Sequence, residues 1–157
     1  MIESMVEVQE SPLQTIQGVL RSLLAGGTVD ALLVPMMLPG GSVAPMLVTD
    51  PAALERADPL APVLPINAAR AASQLTMTGH REKLGVVLRA CEIRALVELV
   101  KFQQVDLGNA VIIGIDKYEN GVPPLKTAVN DARRLAAILG DTHDFEVRLL
   151  TDEDASQ

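Results

Sequence analysis

The stretch from Leu84 to Asp116 constrains this chain most, because two short aliphatic runs there flank an amphipathic segment. Leu84–Leu88 opens after Lys83 and closes at Arg89, and Ala110–Ile115 is rich in β-branched residues. Neither run alternates with polar residues, the pattern of strands covered on both faces in a parallel sheet. Between them Ile93, Leu96, Val97 and Val100 recur at helical spacing. Glu92, Arg94, Glu98 and Lys101 are expected on the opposite, solvent face, where Arg94 can meet Glu98 and Glu98 can meet Lys101. Gly108-Asn109 supplies the break before the second strand. Parallel strands joined by a helix require a right-handed crossover with the helix on one face. The predicted class is therefore α/β, a mainly parallel central sheet with flanking helices.

The rest of the chain fits around that unit. Ser11-Pro12-Leu13-Gln14 reads as a helix start, with Ser as cap, Pro in the first turn and Gln closing a capping box. Leu13, Ile16, Leu20, Leu23 and Leu24 form its apolar stripe, and Gly26-Gly27 ends it. Thr28–Met37 is predicted as a strand, and after the turn Leu38–Gly41 the run Ser42–Thr49 returns as its hairpin partner. Pro35 and Pro45 place this hairpin at one edge of the sheet, and Met36, Met37 and Met46 are expected to fill gaps in its core. Asp50-Pro51 opens a short helical turn to Ala57. Residues 58–66 hold Pro59, Pro62 and Pro65 and are expected to lie extended across the surface. Asn67 caps a helix over Ala68–Met77, whose small residues allow close packing. Beyond Asp116 a loop, a helix over Thr127–Leu139 and a strand over Phe145–Leu150 are predicted. The organisation expected is a frayed segment 1–10, a single α/β domain 11–150 and an acidic tail 151–157.

Composition narrows the function classes. The chain has 157 residues, 48% of them hydrophobic, with two phenylalanines, one tyrosine and no tryptophan, so its core must be aliphatic. A formal charge of −7 argues against nucleic acid as a partner, since phosphate binding rests on clustered Lys and Arg. The same charge suits docking to a basic protein surface. One cysteine rules out an internal disulfide framework and fits a reducing compartment. The start MIESMVEVQE has no basic patch followed by an apolar run, and no apolar stretch is long enough to span a bilayer. The expected location is the cytoplasm, away from membranes.

Two family resemblances meet in the chain. VDALLVPM, VTDPAALERADPLAPVLPINAAR and VVLRACEIRALVELVKFQQ, followed by VIIGID, resemble the N-terminal part of the beta subunit of deazaflavin-coenzyme-reducing hydrogenases and related formate dehydrogenases. This resemblance runs from about Ser11 to Asp116. It implies an iron–sulfur flavoprotein that passes electrons between a cluster, FAD and a partner subunit, and it places a cysteine where Cys91 stands. From Ala110 onward, AVIIGIDKYENGVPPLKTAVNDARRLAAILGDTHDFEVRLLTDEDAS resembles the beginning of a caspase-like (metacaspase-type) cysteine peptidase domain. The strand 110–115 serves both, so the chain reads as chimeric. Each is incomplete: a four-iron cluster takes about four thiolates, and the peptidase family's histidine and cysteine lie beyond the matching stretch.

Cys91 is the one candidate thiol, for catalysis or for cofactor binding. A lone cysteine is usually a small buried apolar residue, and that is the expectation here. The alternative is a reactive or formerly metal-binding thiol, since a helix N-terminus and Arg89 both favour a thiolate. His80 and His143 lack second ligands at metal spacing and are expected to face solvent, so no metal site is predicted. Asp116 stands at the carboxyl end of a predicted parallel strand, where such sheets place binding groups, but Asp also opens many loops.

The first functional expectation is a shortened electron-transfer protein without independent catalysis, with FAD or an iron–sulfur cluster only in the company of a partner. The second is a non-catalytic acidic binding protein of inhibitor or antitoxin type. The third is a caspase-like fragment lacking its dyad.

Overall fold

The structure is a computed structural model that describes residues 11–78, 82–115 and Ala137. Its described residues form helix α1 (Pro12–Ala25), the hairpin β1 (Ala31–Met37) and β2 (Val43–Val48), and a 3-10 helix (Pro51–Arg56). Helix α2 (Ala68–Met77), strand β3 (Leu84–Arg89), helix α3 (Ala90–Lys101) and strand β4 (Ala110–Ile115) follow. The four strands make one sheet in the order β2-β1-β3-β4, antiparallel between β1 and β2 and parallel elsewhere. The α/β class, the parallel centre and the edge hairpin are as the sequence led one to expect. The helix, strand and tail predicted beyond Asp116 lie outside the described residues, as does the segment 1–10; Ala137 is helical.

Local chemistry sets the element ends. The Ser11 hydroxyl accepts from the Gln14 amide as the predicted cap of α1, but Gln14 Oε1 accepts from that hydroxyl rather than from the Ser11 backbone amide, so the predicted capping box is not closed. At its other end Gly27 takes φ +68°, and Thr28 N donates to Leu23 O while Gly27 N donates to Leu24 O, a Schellman closure. That closure uses up Thr28, so the strand begins at Ala31 rather than Thr28.

The sheet is covered on both faces, and alternation along each strand divides the core in two. Ala31, Leu33, Leu84, Val86, Leu88 and Ile112 pack with α2 and α3, where Ala68, Ala69 and Ala72 let α2 come close. Leu32, Val34, Met36, Val48, Val87 and Ile113 pack with α1 and the 3-10 helix. Both crossovers, β1 to β3 and β3 to β4, place their helix on the same face and step the same way across the sheet, so they share one hand.

Pro35 stands directly opposite Pro45. Two facing prolines exchange no N–H···O bond, so the polar groups of both residues point away from the hairpin ladder. On the outer side this leaves the free edge of β2 without a donor at its middle, which blunts it. On the inner side it ends the β1–β3 ladder at Leu33, although β3 runs on beside β4 to Arg89. The seam so opened is taken by the chain itself. Asp58 N donates to Pro35 O at 2.8 Å, and Ala57 bridges to Met36 in antiparallel sense. Residues 57–67 thus pass through the carboxyl end of the sheet, from the face of α1 to that of α2, rather than merely across the surface.

Candidate functional site

Parallel α/β sheets bind ligands at the carboxyl ends of their strands, and here β3 ends at Arg89 and turns directly into α3. Cys91, the second residue of that helix, is exposed. The expectation of a buried apolar cysteine is therefore corrected. The core on that side of α3 is filled by Ile93, Leu96 and Val100, and position 91 lies off their stripe.

Glu92 is the second correction. Placed among the solvent-facing charges by its helical spacing, it is only 1% exposed. Its Oε1 accepts from Ala68 N at 2.9 Å, and its Oε2 accepts from Arg89 N at 3.1 Å and from Arg89 Nε at 3.3 Å. One carboxylate thereby satisfies orphan donors at the starts of two helices, α2 and α3, and neutralises a guanidinium that is 20% exposed. A buried charge persists only with such partners. The missed signal was the spacing Arg89-x-x-Glu92 after an apolar strand, which puts an acid at the third helical position where it reaches back to the cap. Of the other charges on α3, Lys101 and Glu98 pair at 2.6 Å as expected.

The methionine expectation divides. Met36 fills the core, whereas Met37 is 47% and Met46 40% exposed. Exposed too are Val63, at 74%, and Ile66, at 51%, both in the segment that crosses the sheet end.

This corner can offer a nucleophilic thiol next to a fixed Arg–Glu pair, and no more. Among the described residues no three His, Cys, Asp or Glu side chains gather as metal ligands. His80, Asp116 and His143 lie outside the described residues. A four-iron cluster does not fit, because the chain has one cysteine. The N-termini of α2 and α3 already hold the Glu92 carboxylate, and beside Pro35 and Met36 the β1–β3 seam is taken by Ala57 and Asp58. Among the described residues no helix is long and apolar enough to cross a membrane.

Fold and corner together define a parallel-centred α/β domain in which the chain itself fills the gap beside Pro35. Comparison with known proteins adds two likenesses. A caspase-domain family model matches residues 107–157, the last third of the chain. In a solved structure of the xenon-derivatised F420-reducing [NiFe] hydrogenase complex from Methanosarcina barkeri, one chain superposes with a TM-score of 0.54 at 16% identity. The match covers 93% of this chain and 54% of that one, so this chain spans about half the length of the hydrogenase chain. At that identity the likeness is one of fold. The chain matches no curated protein. Both resemblances read from the sequence are thus present, and both are weak.

Proposed function

We infer that this chain is a shortened, redox-subunit-like protein that lends an α/β scaffold to a flavin- or cluster-bearing partner and has no catalysis of its own. The observation that carries this reading is the fold correspondence over 93% of the chain with a chain of a hydrogenase complex. The exposed Cys91 supports it, standing at the start of α3 where the resemblance calls for a cysteine. A single unpaired thiol also suits work in the cytoplasm. The test is to purify the tagged chain without oxygen, alone and with whatever binds it stoichiometrically, and to record visible spectra. The chain alone should be colourless and the complex should carry flavin or iron–sulfur bands.

A second reading is a non-catalytic binding protein of inhibitor or antitoxin type acting on a protein partner. It is favoured by the seam beside Pro35, which the chain itself fills. A stoichiometric complex free of both chromophores overturns the redox reading in its favour. Peptide cleavage abolished by Cys91→Ala would overturn both and make the chain a peptidase fragment.

A further inference from the structure

We propose that residues 57–67 form a strap that opens as a unit from the β1–β3 seam, and that Glu92 is its latch. The strap is fastened at two ends. At the first, Asp58 N donates to Pro35 O, Gln17 Nε2 donates to Ala57 O and Ala61 N donates to Asp58 O at 3.3 Å, with Ala57, Pro59 and Ala61 buried. At the second, the strap runs into α2, whose first amide, Ala68 N, is held by the Glu92 carboxylate. Between these points residues 62–66 make no hydrogen bond, and Pro62, Val63, Pro65 and Ile66 are exposed. Pro62 and Pro65 fix their own φ and restrict Ala61 and Leu64 before them, so this stretch moves as a stiff piece with bending confined to its ends.

What the strap plugs is small. Because Pro35 stops the ladder at Leu33, the strap is held there by the Met36–Ala57 bridge, by Gln17 Nε2 donating to Ala57 O at 2.7 Å, and by three small buried side chains, Ala57, Pro59 and Ala61. Two alanines and a proline bury less apolar area than the leucines and valines of β1 and β3, so they hold the strap less firmly. Lifting the strap uncovers the seam-facing carbonyl of Pro35 and the flank of Met36. These form a short strand edge at the carboxyl end of the sheet, open to an extended segment. Local openings of this kind draw on the least-packed parts of a fold. This inference does not depend on the redox reading, since it concerns motion within the chain alone.

Native-state hydrogen exchange of the full chain in low denaturant tests it. The amides of Asp58, Ala61 and Ala68 should share one opening free energy, well below that of Val86 and Leu88 in β3. Glu92→Gln keeps an acceptor for one donor but turns an amide group toward another. It should speed exchange of all three amides together by about ten- to a hundredfold and leave Val86 and Leu88 within a factor of a few. Strap amides that exchange in the wild type only with the global opening overturn the proposal. So does a Glu92→Gln protein in which Ala68 alone is affected. If Glu92→Gln does not fold, the wild-type exchange pattern decides by itself.

Discussion

At the scale of single residues, Glu92 and Cys91 are neighbours that sequence pattern assigned the wrong way round. Helical spacing set Glu92 among charges and so outside, and base expectation set the lone cysteine inside. The structure reverses both, because the first turn of a helix obeys its orphan amides rather than its apolar stripe. Three donors converge on the Glu92 carboxylate. Glu92→Ala should therefore lower stability by about 2–4 kcal/mol, read as a shift in the urea midpoint, since it leaves buried donors and a largely buried guanidinium unpaired. Glu98→Ala, at an exposed pair on the same helix, should change the midpoint little. Cys91 should react with one equivalent of an aromatic disulfide reagent without denaturant. A thiol that titrates only after unfolding would contradict its exposed position.

At the scale of elements, most of what exists was legible. The Ser11 cap, the Asn67 cap, the hairpin and the β3–α3–β4 unit are all announced by local spacing. The course of residues 57–67 was not. Three prolines rule out helix and central strand, but only the facing of Pro35 and Pro45, a contact set by hairpin register, opens the seam that receives them. Gly85 shows the same dependence on what lies across the sheet. A Cβ there would stand 2.6 Å from Leu32 Cδ2 and 3.2 Å from Val29 Cγ1. Leu32 and Val29 are fully buried and have little room to yield. Gly85→Ala should cost about 1–3 kcal/mol by overpacking, measured by thermal or urea unfolding. Gly18→Ala, in α1 with nothing near its Cβ, should be neutral or stabilising by under about 1 kcal/mol.

At the scale of the whole molecule, architecture followed from composition and period, while function did not. Aliphatic runs and amphipathic stripes suffice to specify layers, but a site depends on which side chains meet from distant positions. The carboxyl end of the sheet illustrates this: its chemistry is a salt bridge serving two helices and a seam closed by the chain itself. One property does belong to the whole surface. A net charge of −7 on a small chain is self-repulsive, and salt screens it. The unfolding midpoint should rise modestly between about 20 and 500 mM sodium chloride, beyond one Debye length of screening. A fall would mean that exposed attractions such as Lys101–Glu98 outweigh the repulsion.

The facing prolines also act as a proofreader of assembly. A hairpin slipped by one residue would turn β2 over, swapping the sides of Met46 and Leu47, and would swing the missing N–H of Pro45 inward. A carbonyl of β1 would then lie unanswered at the middle of the ladder, so the wrong register is penalised twice, once in apolar contact and once in hydrogen bonding. In the correct register the same absent donor faces outward, where water loses nothing by it.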